Sequence, residues 1–181
     1  QWVEFGNRLL AVVVVIVSGA CLLAALGSRP RRTRLVWLAG AMPLGVVAQA
    51  VIGGITVLVG LAWWSVMPHF LASIVLVWLA VELVAEARDG GPTAPVVPRA
   101  VRTLAVVSTV VLGALLVAGT LVTAAGPHAG DSATPRLGIP VPALAQLHAD
   151  LLFGYLGLVV GLGFALWATD APAKVRRRYW W

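Results

Sequence analysis

Three histidines are the only imidazoles in a chain of 181 residues that is 60% hydrophobic. Each stands at the end of an apolar, helix-length run. His69 opens one in Pro68-His69-Phe70-Leu71-Ala72-Ser73, and His148 opens another in Gln146-Leu147-His148-Ala149-Asp150. His128 belongs to Gly126-Pro127-His128-Ala129-Gly130-Asp131, the hexapeptide that closes the run Leu104 to Ala125. Neutral imidazole is a good ligand for haem iron. A lone histidine at a membrane interface is ordinarily bland, but two at matching depth, each leading into an apolar helix, favour a haem or redox site near one membrane face. Tyr155 falls seven residues after His148 and shares its helix face, where it flanks a ring or simply packs. His128 fits a loop-shaping or propionate-facing role better than iron ligation.

The acid–base candidates are few. Glu4, Asn7 and Arg8 have i, i+3 and i+4 spacing and so share one helix face. A carboxylate and a guanidinium near the bilayer are costly unless paired or functional. Glu4 is therefore either an ion-pair partner of Arg8 or a carboxylate poised at a substrate. Glu82 and Glu86, one turn apart and followed by Arg88, read as the solvated end of a helix. Gln49 and Thr56 share a face inside a span and read as interhelical hydrogen-bonding groups.

The elements that position these residues are membrane helices. Mean hydropathy is +0.95 and only 11% of residues are charged, which excludes an ordinary soluble domain. A bilayer span needs about 20 mostly apolar residues. Runs without Asp, Glu, Lys or Arg cover Leu9–Ser28, Leu35–Val81, Thr103–Gly130 and Leu151–Thr169. The second is too long for one crossing and breaks around Gly60-Leu61-Ala62-Trp63-Trp64, where paired Trp suit an interface. Five spans are expected, at about 9–27, 35–60, 66–86, 103–125 and 145–169, in an all-α polytopic protein.

The net charge of +6 is a topology signal, with no nucleic-acid footprint. Arg29, Arg31, Arg32 and Arg34 occupy the first connection, Arg88, Arg99 and Arg102 the third, and Lys174, Arg176, Arg177 and Arg178 follow the last span. Excess Lys and Arg marks the cytoplasmic side. The N-terminus is then outside, the C-terminus is cytoplasmic, and Glu4, His69, His128, Asp131, Arg136, His148 and Asp150 gather near the outer face. A lone Cys21 permits no intrachain disulfide. The chain opens with Gln and ends on a basic cluster followed by aromatics, as a further span would begin; it reads as an internal piece of a longer protein.

The Pro- and Gly-rich stretch 88–102 reads as a cytoplasmic linker. It separates three helices of a first bundle, residues 1–87, from two helices and a cytoplasmic tail of a second, residues 103–181. The outer connection 126–144 is long for a hairpin, as functional loops often are. Gly157-x-x-x-Gly161, Thr109-x-x-x-Gly113 and Gly53-Gly54 have the spacing of close helix packing. Asn7-Arg8-Leu9-Leu10 faintly echoes His148-Ala149-Asp150-Leu151-Leu152, as in a duplicated bundle.

The ordered set Glu4-Phe5-Gly6-Asn7-Arg8, Gly54-Ile55-Thr56-Val57-Leu58-Val59-Gly60-Leu61, His69-Phe70-Leu71-Ala72-Ser73, Gly119-Thr120-Leu121-Val122-Thr123, the hexapeptide at 126–131 and Gln146-Leu147-His148-Ala149-Asp150 resembles haem A synthase across essentially the whole chain. The resemblance implies an eight-helix protein of two pseudo-symmetric four-helix bundles in a bacterial cell membrane, of which this chain is the second to sixth spans. It implies oxidation of the C8 methyl of haem O to a formyl, giving haem A for cytochrome oxidase. Haem O is then the substrate and haem b the cofactor, with His69 and His148 as iron ligands and Glu4 as the assisting carboxylate. Where the family carries a histidine three residues after that Glu, this chain has Asn7, so His69 ligates alone or with a weaker partner. The partner of His148 would lie on an eighth span, so the isolated fragment is expected to hold haem poorly and to be inactive. Implied partners are the bilayer, haem O synthase, oxidase assembly factors and a second copy of the chain. The alternatives are a b-type haem electron-transfer protein without oxygenation, and a membrane assembly or transport module without haem.

Overall fold

The computed structural model describes residues 2–89, 97–127 and 133–179, with the side chains of Val3, Glu4, Asn7, Arg8, Asp89 and Arg178 outside that description. Within it the chain is helical, in the order α1 (Trp2–Gly27), α2 (Thr33–Leu58), α3 (Trp63–Asp89), α4 (Arg99–Ala125), α5 (Val141–Ala168) and α6 (Ala173–Tyr179). Helices α1 to α5 have 26 to 28 residues each. At 1.5 Å rise per residue that is about 40 Å, more than the roughly 30 Å hydrocarbon core of a bilayer. All five are long and apolar enough to cross a membrane. The protein is a multi-pass helical membrane protein with the five expected spans, each helix extending a few residues beyond its charge-free run.

The distribution of burial agrees with a lipid environment. The buried apolar residues are mostly alanines, and large side chains such as Leu23 (71% exposed), Trp37 (77%), Phe153 (72%) and Trp167 (73%) point outward. Lipid tails are as apolar as leucine, so helix association in a bilayer relies on close packing and interhelical hydrogen bonds instead of apolar burial. Pro43 and Pro68 inside α2 and α3 are tolerable in such helices, where neighbours re-satisfy the freed carbonyls. Between α2 and α3 the chain turns through Gly60 and Leu61, both with left-handed φ of 69° and 58°. Leu61 is a β-carbon-bearing residue in that region, a conformation that costs of order 1 kcal/mol.

The chain divides into two compact units, Gln1–Gly60 with Pro68–Pro92, and Leu61–Met67 with Thr93–Trp181. In the first, α1 packs on α2, with Gly40 of α2 facing Leu22, and α2 meets α3 through Gly45 against Leu76. In the second, α4 packs along α5. Val101, Leu166 and Ala171 form a small core there, closed by Val97, Leu162, Val175 and Tyr179. Residues Ala173–Tyr179, in the segment expected as a tail, form α6 and fold back on α5. The Tyr179 hydroxyl donates to the Val159 carbonyl at 2.7 Å.

Two expectations are corrected. Glu82 and Glu86 are not a solvated helix end. Glu86 is 4% exposed and its Oε1 accepts from Arg32 at 2.8 Å, while Glu82 Oε2 accepts from Arg34 at 2.8 Å. Arg34 also lies 3.5 Å from Glu86 Oε2, and Arg32 donates to the Glu86 carbonyl as well. Arginines that read as topology markers thus clamp the start of α2 to the end of α3, because a carboxylate at a bilayer edge gains most from a nearby cation. Of the glycines expected at close packing, Gly53 lies against the next helix, but nothing lies within 4 Å of a β-carbon added at Gly54, Gly113, Gly157 or Gly161; Gly119 and Gly163, outside those spacings, each press on a side chain of the next helix.

The two carboxylates of this clamp differ in worth. Glu86→Gln leaves Arg32 without its carboxylate in a mostly buried position and is expected to cost about 1–3 kcal/mol. Glu82→Gln breaks a more exposed pair worth up to about 1 kcal/mol. Thermal unfolding of the detergent-purified variants checks the order; equal losses would contradict it.

Candidate functional site

Both described histidines lie in the second turn of their helices. His69 is the seventh residue of α3 and His148 the eighth of α5, so each imidazole leaves its helix about 9–10 Å from the N-terminal end. Each ring is half-buried and lies against a glycine of the preceding helix. A β-carbon at Gly53 would be 3.1 Å from His69 Cε1, and one at Gly119 would be 3.0 Å from His148 Cε1. In both pairs the glycine leaves the space in which the ring lies, so the same contact is built twice, once in each unit.

The ring nitrogens are held differently. His148 Nδ1 lies 3.2 Å from the carbonyl oxygen of Leu115, one turn before Gly119 on α4. A carbonyl only accepts, so this bond places the proton on Nδ1 and leaves the lone pair on Nε2. A metal-ligating histidine commonly has its second nitrogen fixed by such a carbonyl, which sets tautomer and orientation and raises ligand basicity.

His69 has no such anchor. Its Nδ1 is buried without a hydrogen-bond partner, and so is Oε1 of Gln49. The two residues are already joined. Gln49 Nε2 donates to the His69 carbonyl at 3.3 Å and to Ser73 Oγ at 2.8 Å, and Ser73 Oγ donates to the same carbonyl at 3.0 Å. The interhelical role expected of Gln49 is present, while Thr56 donates within its own helix to the Ile52 carbonyl at 2.9 Å. A buried polar atom left unpaired costs about 1–3 kcal/mol, so the α2–α3 site holds unmet polar capacity next to its imidazole.

Imidazoles placed this way could serve as axial ligands of a metal that brings its own ring donors. Among the described residues no three His, Cys, Asp or Glu side chains gather to hold a bare metal ion. A porphyrin brings its own four nitrogens, so one or two imidazoles suffice. Of the other candidates, Asp150 accepts from Gln146 Nε2 at 2.8 Å. That exposed pair lies on the side of α5 away from His148. Tyr155 is half-buried on the face of His148. Arg136 donates to the Pro127 carbonyl at 3.1 Å, and the Leu137 amide to the Ala124 carbonyl at 3.0 Å, tying the described part of the α4–α5 connection to the end of α4. Glu4, Asn7 and Arg8 lie in α1, with their side chains outside the described residues; His128 and Asp131 are also outside them. The sequence reading passed over Gly119 and the Leu115 carbonyl as parts of the site. The available signal was a glycine in the helix before each histidine, at Gly53 and Gly119.

A family model described as cytochrome oxidase assembly protein, COX15-CtaA, matches residues 1–136. No curated protein and no solved structure matches the chain. The match takes in Glu4, His69, Gly119 and His128 and stops before α5, so His148 stands on its own geometry.

The paired contacts give a test with built-in controls. Gly119→Ala and Gly53→Ala are expected to push the imidazole by a few tenths of an ångström and to lower haem retention or change its spin state in optical spectra. Gly113→Ala and Gly54→Ala, which meet open space, are expected to leave both unchanged.

Proposed function

The chain belongs to the COX15-CtaA family of cytochrome oxidase assembly proteins, the haem A synthase family, and on that premise we propose that it acts in converting haem O to haem A by oxidising the C8 methyl to a formyl. The single observation that carries this reading is His148, with Nδ1 bound to the Leu115 carbonyl and Nε2 left free for iron. We assign His148 to a resident haem b and His69 to the substrate haem. The difference in anchoring supports that division. A fixed tautomer suits a cofactor that stays, and an imidazole without a second hydrogen bond suits a haem that must leave.

When bound, the resident haem supplies electron transfer, which the protein's own groups do not provide. The chain contributes orientation and proton handling. Gly53 and Gly119 admit the rings, and Leu115 holds one of them. Oxidising a methyl to a formyl is a four-electron change: with water as the oxygen source it releases four protons and four electrons, and the electrons must pass to an external acceptor. Glu4 is assigned to receive a proton from the reacting carbon or to stabilise positive charge developing there. The Lys and Arg asymmetry supports an orientation in the bacterial cell membrane with the N-terminus of this chain outside and Lys174–Arg178 in the cytoplasm. Haem O synthase and oxidase assembly factors fit as neighbours that hand over substrate and take product.

The competing reading is a b-type haem electron-transfer protein, favoured by the same His148 geometry and separated by product: it binds haem but converts no haem O.

Three measurements bear on these assignments. Glu4→Gln, which keeps shape and removes charge, is expected to abolish most haem A formation at normal protein level; full yield would reduce Glu4 to an ion-pair partner. His148→Met in the full-length protein is expected to change the low-temperature optical and EPR signals of haem b, whereas an unchanged low-spin signal at full occupancy would place the ligand elsewhere. In a Cys21→Ser background, a cysteine at Ser132 should be labelled from outside intact cells and one at Gly91 should not. The reverse pattern would dissolve the outer-face cluster.

A further inference from the structure

The end of α5 remote from His148 carries a second feature that the haem chemistry does not use. α6 folds back along α5, leaving a groove of about 560 Å³ lined by Val160, Gly163, Phe164, Trp167, Arg176 and Tyr179. That volume is in the range of small-molecule sites, about 300–1,000 Å³. Val160 to Trp167 follow His148 by 12 to 19 residues on one helix, about 18–28 Å along its axis, so the groove is a separate place.

Its chemistry is that of an amphiphile site. Phe164 is 68% and Trp167 73% exposed, giving an apolar wall open to the hydrocarbon. Tyr179 contributes its ring only, since its hydroxyl is committed to the Val159 carbonyl at 2.7 Å. Its ring fits because position 163 is glycine, where a β-carbon would come within 2.8 Å of the hydroxyl oxygen. The polar group of the lining is the exposed guanidinium of Arg176. The surrounding charge has the same sign. Lys174 and Arg177 flank Arg176, and Arg99 and Arg102 begin α4, whose Val101 packs on the same cluster as Val175 and Tyr179. Against them stands Asp170, the only acidic residue after Asp150.

We propose that the α5–α6 groove binds an anionic phospholipid, with one acyl chain along Val160, Phe164 and Trp167 and the headgroup phosphate on Arg176. The charge complementarity commits the site to this occupant. A basic pocket between helices at the end of a span attracts anionic headgroups, and each basic residue contributes about 1 kcal/mol near such a surface. Guanidinium pairs with phosphate in a bidentate fork that an ammonium cannot reproduce.

The test is native mass spectrometry of the full-length protein exchanged into equimolar phosphatidylglycerol and phosphatidylcholine. Preferential retention of phosphatidylglycerol is expected, reduced about fivefold by Arg176→Gln and partly restored by Arg176→Lys, with the haem spectrum unchanged in both. Phe164→Ala is expected to weaken retention of both lipids. Equal retention of the two lipids by the unaltered protein, or no effect of Arg176→Gln, would overturn the proposal. Displacement of the lipid by glycerol 3-phosphate at comparable concentration would do so too, because it would make the site one for free phosphate. A photo-crosslinker at Phe164 should capture lipid, and a protein adduct in its place would identify the groove as a helix-packing surface.

Discussion

A hydrocarbon environment offers no hydrogen bonds, so every polar side chain inside these helices must find its partner within the protein, on its own helix as Ser108 and Thr56 do or on a neighbouring one, or remain costly. That constraint organises the molecule. Among the described residues the interhelical polar contacts are few and local. They include the arginine–glutamate clamp between α2 and α3, the Gln49–Ser73–His69 network, the His148–Leu115 bond and the Tyr179–Val159 bond. Between them lie mostly small buried residues, such as Ala39, Ala118 and Ser108, and large side chains that face outward. Because apolar burial contributes little between membrane helices, these contacts and the glycines beside them decide how the helices meet.

The two histidines illustrate how one contact serves different ends. Glycine removes the side chain that would fill the ring's space, and the ring lies against bare backbone. At Gly119 the backbone also presents a carbonyl one turn away, and the imidazole is locked. At Gly53 the neighbouring donors, Gln49 Nε2 and Ser73 Oγ, are occupied with the His69 carbonyl, and the ring Nδ1 is left without a partner. Under the proposed function the locked imidazole would serve a resident haem and the less constrained one a transient haem, which links the packing of each helix pair to its proposed task.

The charged residues do double duty for a related reason. Arg32 and Arg34 contribute to the positive bias of one membrane side and also neutralise Glu82 and Glu86, which are near the end of a span. At the end of α5, Arg176 of α6 lines an apolar groove instead of facing a carboxylate. The same sign of charge therefore stabilises a helix pair in one place and prepares a lipid-like site in the other.

The five membrane spans were legible from the residues alone, since twenty-residue apolar runs bounded by Arg, Pro and Gly have no other stable form in a bilayer. The sequence also marked His69 and His148, because an imidazole at the mouth of an apolar run stands out against its background, and ordered motifs carried the family. Tertiary structure alone decided which glycines matter. Gly53 and Gly54 are indistinguishable in sequence, yet one faces His69 and the other open space, since helix rotation about its axis is set by the neighbour and not by composition. It likewise decided that Glu86 is buried against Arg32, that Nε2 is the free nitrogen of His148, and that the tail folds back on α5. Each depends on a contact between residues far apart in the chain, and periodicity within one helix carries no record of what the next helix brings to it.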